Sequence, residues 1–91
     1  MNKNELSAEI AKRSGMARKD AETVLSTMTD IICEKLQQGE NVQLVGFGVF
    51  EVKHRPARKA RNPKTGEEIQ IGERRSAIFK PGKGLKQAVE D

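Results

Sequence analysis

Six cations stand within the twelve residues from Lys53 to Lys64: Lys53, Arg55, Arg58, Lys59, Arg61 and Lys64. No carboxylate lies among them. Guanidinium and ammonium groups at that density hold phosphate or carboxylate oxygens, because they supply charge-assisted hydrogen bonds in parallel. Three acids follow, Glu67, Glu68 and Glu73, and the segment 53–75 still carries a net +5. Residues 1–52 carry −2 and residues 76–91 carry +1, so the +4 of the whole chain is the signature of one segment. Charge collected in a block marks a binding surface or a disordered tail, whereas dispersed charge serves solubility. A polyanionic partner is implied, nucleic acid first and acidic membrane second.

Residue types around the block narrow the choice. Basic segments bind lipid best when interleaved with large apolar side chains on an amphipathic helix. Residues 53–66 contain no large apolar side chain and have two prolines, Pro56 and Pro63, which argues against a membrane surface. Recognition of unpaired RNA bases uses exposed aromatics, and this segment has none. Double-stranded DNA held through its phosphates is the reading left. An enzyme finds no support: His54 is the only histidine, and no nucleophile stands beside Glu67 and Glu68. Gly46-Phe47-Gly48 lacks the third glycine and the following helix of a nucleotide loop. Pro81-Gly82-Lys83-Gly84 lacks the spaced glycine and the Ser or Thr of a phosphate loop.

One cysteine, Cys33, and one histidine cannot build a zinc site, so no metal and no cofactor are expected. Cys33 reads as a reduced thiol on a helix, with a disulfide between two chains as the alternative. The start Met1-Asn2-Lys3-Asn4-Glu5 has no apolar stretch of a secretory signal, and no run is long enough to span a bilayer. A cytoplasmic location is the expectation.

The elements that must position these cations follow from periodicity. Leu6, Ile10 and Ala11 recur at helical spacing, with Asn2 placed to cap, Glu5 three residues on, and Gly15 as a stop. Ala21, Val24, Leu25, Met28, Ile31, Ile32 and Leu36 mark a second helix that Gly39 ends; its start is poorly marked, because Ala17 offers no capping oxygen. The two helices form a hairpin. From Asn41 the period changes to two: Val42 and Leu44 alternate, Gly46-Phe47-Gly48 turns, and Val49-Phe50-Glu51-Val52 resumes. Asn62-Pro63-Lys64-Thr65-Gly66 is a turn cluster, and Ile69 and Ile71 alternate beyond it. A long two-stranded ribbon is predicted, its outgoing limb basic and its tip at the Asn-Pro turn. A short third helix from Pro81-Gly82 carries Leu85, Ala88 and Val89 on one face. The chain is thus α+β, a single domain of 91 residues. Residues 1–40 form a helical base, 41–81 a three-stranded antiparallel sheet with an arm at about 53–75, and 82–91 the C-terminal helix. With 35% hydrophobic residues, no Trp or Tyr and three Phe, its private core is small, and oligomerisation is expected to supply the rest.

Gly46-Phe47-Gly48-Val49-Phe50, then Arg55 and Arg58, then Arg61-Asn62-Pro63-Lys64-Thr65-Gly66, then Phe79-Lys80-Pro81-Gly82-Lys83 occur in one order. Taken together they resemble the bacterial HU-type histone-like DNA-binding proteins over essentially the whole chain. The resemblance implies an intertwined dimer with two arms around double-stranded DNA, bound with little sequence preference, bent and compacted in the nucleoid. Phe47, Phe50 and Phe79 would fill the core shared between subunits. Lys53, Arg55, Arg58, Lys59, Arg61, Asn62, Lys64 and Thr65 would follow the minor groove and its phosphates. Pro63 would be the wedge between base pairs, at a cost of roughly a few kcal/mol per unstacked step, HU being one of the architectural proteins known for minor-groove binding. Lys3, Arg75, Lys80, Lys83 and Lys86 match positions that touch phosphate on the body and lower arm. A homodimer is expected, preferring bent or distorted DNA. The alternative is a subunit of an integration-host-factor-like heterodimer that bends specific sites. Three positions depart from the common pattern: Ala60 for Gly, Gly72 for Pro, and Ala17 for a Ser or Thr cap worth about 1 kcal/mol.

Overall fold

The side chain of Asn2 accepts a hydrogen bond from the Glu5 N–H at 2.9 Å, and this cap starts α1, Lys3–Ser14. Gly15 ends it in the left-handed conformation, φ 74°, with its N–H on the Ala11 carbonyl. The chain turns through Met16 and Ala17 into α2, Arg18–Gln37. This second helix begins without a side-chain cap from Ala17, as its residue type dictates, and ends where the Gly39 N–H returns to the Leu36 carbonyl at 3.0 Å. These coordinates come from a computed structural model that describes residues 1–90. They divide into two compact units, Met1–Lys35 and the chain from Leu36 onward.

In the first unit, the enclosed side chains are Ser7 on α1 and Ala21 and Leu25 on α2. The buried Ser7 hydroxyl is satisfied by donating to the Lys3 carbonyl at 2.9 Å. Val24, Met28 and Ile31, spaced i, i+4, i+7 on α2, remain 43–51% exposed in the single chain. The private core is as small as the composition implied.

The second unit is built on an antiparallel sheet of β1 (Val42–Leu44), β2 (Gly48–Arg55) and β5 (Arg74–Pro81), in the order β1-β2-β5. A separate pair, β3 (Arg58–Arg61) and β4 (Glu68–Ile71), forms the outer arm, and α3, Lys83–Val89, closes the chain. Phe50 lies opposite Phe79 in the β2–β5 register, with ring centroids 4.8 Å apart, and Phe47 meets the same Phe79 ring at 5.4 Å. The Gly-x-Gly of the β1–β2 turn is a steric device. Gly46 takes a positive φ of 84°, and a Cβ on Gly48 would stand 2.5 Å from the Phe79 ring and 2.7 Å from the Lys80 carbonyl oxygen. The same turn receives the start of α3: the Gly82 N–H donates to the Phe47 carbonyl at 2.8 Å, and a Cβ on Gly84 would lie 3.1 Å from the Gly46 oxygen.

The two-stranded arm expected from the sequence is present, and it carries one interruption. Its ladder stops after Arg55↔Arg74 and resumes at Arg58↔Ile71, leaving Pro56 and Ala57 facing Gly72 and Glu73 outside both strand pairs. Pro56 has no N–H to give a ladder, and Gly72 brings the entropic freedom that weakens strands. The same number of residues is skipped on each side, so this is an interruption, not a bulge.

Gly48→Ala is expected to destabilise the protein by about 1–3 kcal/mol, because the added methyl meets a ring and a backbone oxygen that cannot both give way. Thermal or urea unfolding of the variant reads this directly; a midpoint equal to that of the unmodified chain would show the packing against Phe79 to be loose.

Candidate nucleic-acid interface

The arm tip is closed by its own backbone. The Asn62 N–H donates to the Glu67 carbonyl at 2.8 Å, and the Gly66 N–H to the Asn62 carbonyl at 2.8 Å. Inside this loop the Asn62 side chain accepts from the Lys64 N–H at 2.9 Å, an Asx turn, while Thr65 Oγ1 accepts from the Glu67 N–H at 3.3 Å. Gly66 adopts φ 73°, the left-handed turn position glycine takes readily. Asn62 and Thr65, expected from sequence as DNA contacts, also shape the tip. Asn62 is half-buried there, and Pro63, Lys64, Thr65 and Gly66 are exposed.

Strand alternation sorts the arm cations by face. Lys59 pairs with Gln70 and Arg61 with Glu68 on one face of β3–β4. Arg58 opposite Ile71 and Ala60 opposite Ile69 share the other. Nearer the base, Lys53 faces Ser76 and Arg55 faces Arg74, while His54 and Arg75 occupy the opposite side. His54 Nε2 lies 2.6 Å from Glu73 Oε1. Among the described residues, Lys53, Arg55, Arg58, Lys59, Arg61 and Lys64 hold no ion pair.

The cations matched outside the outer arm are placed differently from one another. Arg75 is engaged: its guanidinium donates to the carbonyls of Leu36 at 3.0 Å and Gln37 at 2.7 Å, the final two residues of α2. Those carbonyls lack intrahelical partners and carry the negative end of the helix dipole, so a cation there is stabilising. Lys80 pairs with Glu51 at 3.2 Å across β2–β5; the lysine side chain is 63% exposed, and an exposed pair of this kind contributes about 0–1 kcal/mol. Lys3 opens α1, and Lys83 and Lys86 lie on α3, all exposed. Phe47 and Phe79 are 46% and 38% exposed in the single chain, and Phe50 is half-buried. Among the described residues no group of His, Cys, Asp and Glu is arranged to hold a metal ion, and Cys33 is exposed on α2. No described helix is long and apolar enough to cross a membrane.

Sequence reasoning left out Arg74. It stands directly opposite Arg55, and it lines a small concavity with Arg55, Pro56, Arg58, Ile71 and Gly72. The available signal was the Arg74-Arg75 dipeptide, but strand alternation sends the two side chains to opposite faces, and only the register shows which one joins Arg55.

Residues 1–90 match the profile of the family described as "Bacterial DNA-binding protein". The chain is 54% identical to DNA-binding protein HU-1 of Halalkalibacterium halodurans over 90 residues, covering 99% of this chain and 100% of that one. It is 51% identical to DNA-binding protein HU of Geobacillus stearothermophilus, with the same coverage. Among solved structures it superposes on the Anabaena HU–DNA cocrystal structure with a TM-score of 0.84 at 40% identity, covering 98% of this chain and 97% of that one. HU from Thermotoga maritima gives a TM-score of 0.70 at 37% identity, covering 99% and 100%. A basic arm with a closed Asn-Pro tip, a glycine-packed aromatic cluster and these relatives agree: the chain belongs to the bacterial DNA-binding protein family, of HU type.

Proposed function

We propose that this protein is a histone-like architectural DNA-binding protein. It binds duplex DNA through phosphates with little sequence preference, bends it and compacts it in the nucleoid. The observation that carries this reading is the arm itself: a two-stranded projection whose exposed cations have no acidic partner among the described residues, ending in Pro63 on a hydrogen-bonded loop. Unpaired cations in the free protein are ready to displace counterions from DNA without first breaking a contact. The DNA-bound Anabaena relative supports the same assignment.

Pro63 is the bending element in this reading. It is rigid and apolar, and it has no N–H to desolvate when it enters between base pairs. The Asn62 Asx turn holds it at the tip. Lys59 and Arg61 on one face and Arg58 on the other follow the phosphates on either side of the groove. Lys3, Lys83 and Lys86 extend the basic surface on the body. Two copies act together: the exposed Val24, Met28 and Ile31 stripe and the half-open cluster of Phe47, Phe50 and Phe79 are the apolar surface that a second chain covers. Membership of a DNA-binding family, named for no reaction, supports a non-enzymatic role.

The first test is binding to a scrambled linear duplex across a salt series. If a dimer neutralises about 6–10 phosphates, log K falls against log salt with a slope of about −5 to −9. A nick or mismatch in the same duplex is expected to tighten binding, since part of the deformation cost is already met. Binding confined to one cognate site, or only with a second protein added, would replace this reading with a heterodimer of the integration-host-factor type. Arg61→Ala should weaken binding across all sequences and make the slope shallower by about 1 per phosphate lost. Pro63→Ala should reduce the bend angle measured by energy transfer between duplex ends while changing affinity less. Asn62→Ala, which frees the Lys64 N–H, should speed amide exchange at the tip and reduce bending in the same direction; an unchanged bend in both variants would remove the wedge role.

A further inference from the structure

We propose that Arg55, Arg58 and Arg74 form one phosphate seat at the break in the arm, and that Arg74, not its neighbour Arg75, makes the contact to the DNA backbone there. The proposal rests on the DNA-binding reading above and names a site within it.

In an unbroken strand Arg55 and Arg58, three residues apart, would point to opposite faces. The interruption at Pro56 and Ala57 removes that constraint, and both residues line the same concavity. Arg74 joins them by register, directly across from Arg55. The rest of the lining is Pro56, Gly72 and Ile71, which bring no acid. Three arginines thus line one concavity with no carboxylate in the lining and no ion pair among the described residues. Like charges directly opposite on a ladder repel and destabilise it. An arrangement that is unfavourable in the free protein becomes favourable once a phosphate with two negative-leaning oxygens sits between the cations, which the planar forks of arginine suit.

The adjacent Arg75 supplies the contrast. Its guanidinium is engaged with the Leu36 and Gln37 carbonyls on the other side of β5, so reaching phosphate would cost it both hydrogen bonds. We assign it to holding the root of β5, with the unengaged charge of the pair left to Arg74.

The experiment is a salt series with the full-length protein and a scrambled duplex, comparing Arg74→Ala, Arg74→Lys and Arg75→Ala, each with its unfolding midpoint. Arg74→Ala should bind about tenfold more weakly at physiological salt, as expected for losing a charged hydrogen bond. Its slope should be shallower by about 1–2, one phosphate given up per chain. Its midpoint should be equal or higher, because the repulsion with Arg55 is relieved. Arg74→Lys should keep the slope. Arg75→Ala should lower the midpoint and keep the slope. An Arg74→Ala protein with unaltered affinity and slope overturns the seat, as does a slope loss that appears in Arg75→Ala instead. If the unmodified protein shows no salt-dependent binding, the DNA-binding reading fails as a whole, an outcome distinct from either of these.

Discussion

Pairing between β2 and β5 sets nearly everything else in the second unit. At its lower end the ladder puts Phe50 across from Phe79 and slides Gly48 beneath the Phe79 ring, where no other side chain fits. At its upper end the same ladder puts Arg55 across from Arg74. Because side chains alternate with a period of two, a slip of one residue would turn every side chain of one strand to the wrong face. The close contact at Gly48 therefore does more than fill space: it pins a register that is read out seven residues later, at the root of the arm.

Along this one ladder the character of the pairs changes from apolar to charged. Phe50, Val52, Ala77 and Phe79 share a face near the body, and His54 and Arg75 continue that face outward. On the other face Glu51 holds Lys80, then Lys53 and Arg55 follow without acidic partners among the described residues. Stability is concentrated where the aromatic rings meet, and the outer arm relies on two short strands and a turn. Isolated two-stranded ribbons are marginal in water. The hydrogen bonds that Asn62, Thr65 and Gly66 place in the tip loop offset part of that weakness and keep Pro63 presented.

The interruption at Pro56 and Gly72 gives the arm a second property. A continuous strand would divide its cations strictly between two faces. The break lets arginines on either side of it line one concavity, at the cost of ladder hydrogen bonds. Local rules of sheet formation are violated where ligand contact is proposed, as is common at functional sites. The neighbouring pair of arginines is divided in the same way: Arg75 donates to the Leu36 and Gln37 carbonyls at the end of α2, and Arg74 holds no ion pair among the described residues.

Local chemistry determined much of this protein from sequence by itself. Asn2 and Gly15 bound α1, Gly39 ends α2, and Asn62 to Gly66 form the tip, because capping and turn residues act on backbone groups two to four positions away. The clustering of charge in residues 53–75 marked the partner class, since it depends on composition and not on geometry. Tertiary structure alone decided that the ribbon is broken, that Arg75 is engaged with Leu36 and Gln37 some 38 residues away, and that Arg74 faces Arg55. Each of these depends on which residues of distant segments lie opposite one another. That pairing is selected by the packing of Gly48 under Phe79 and of the strands it aligns, an interaction between positions that no local periodicity connects.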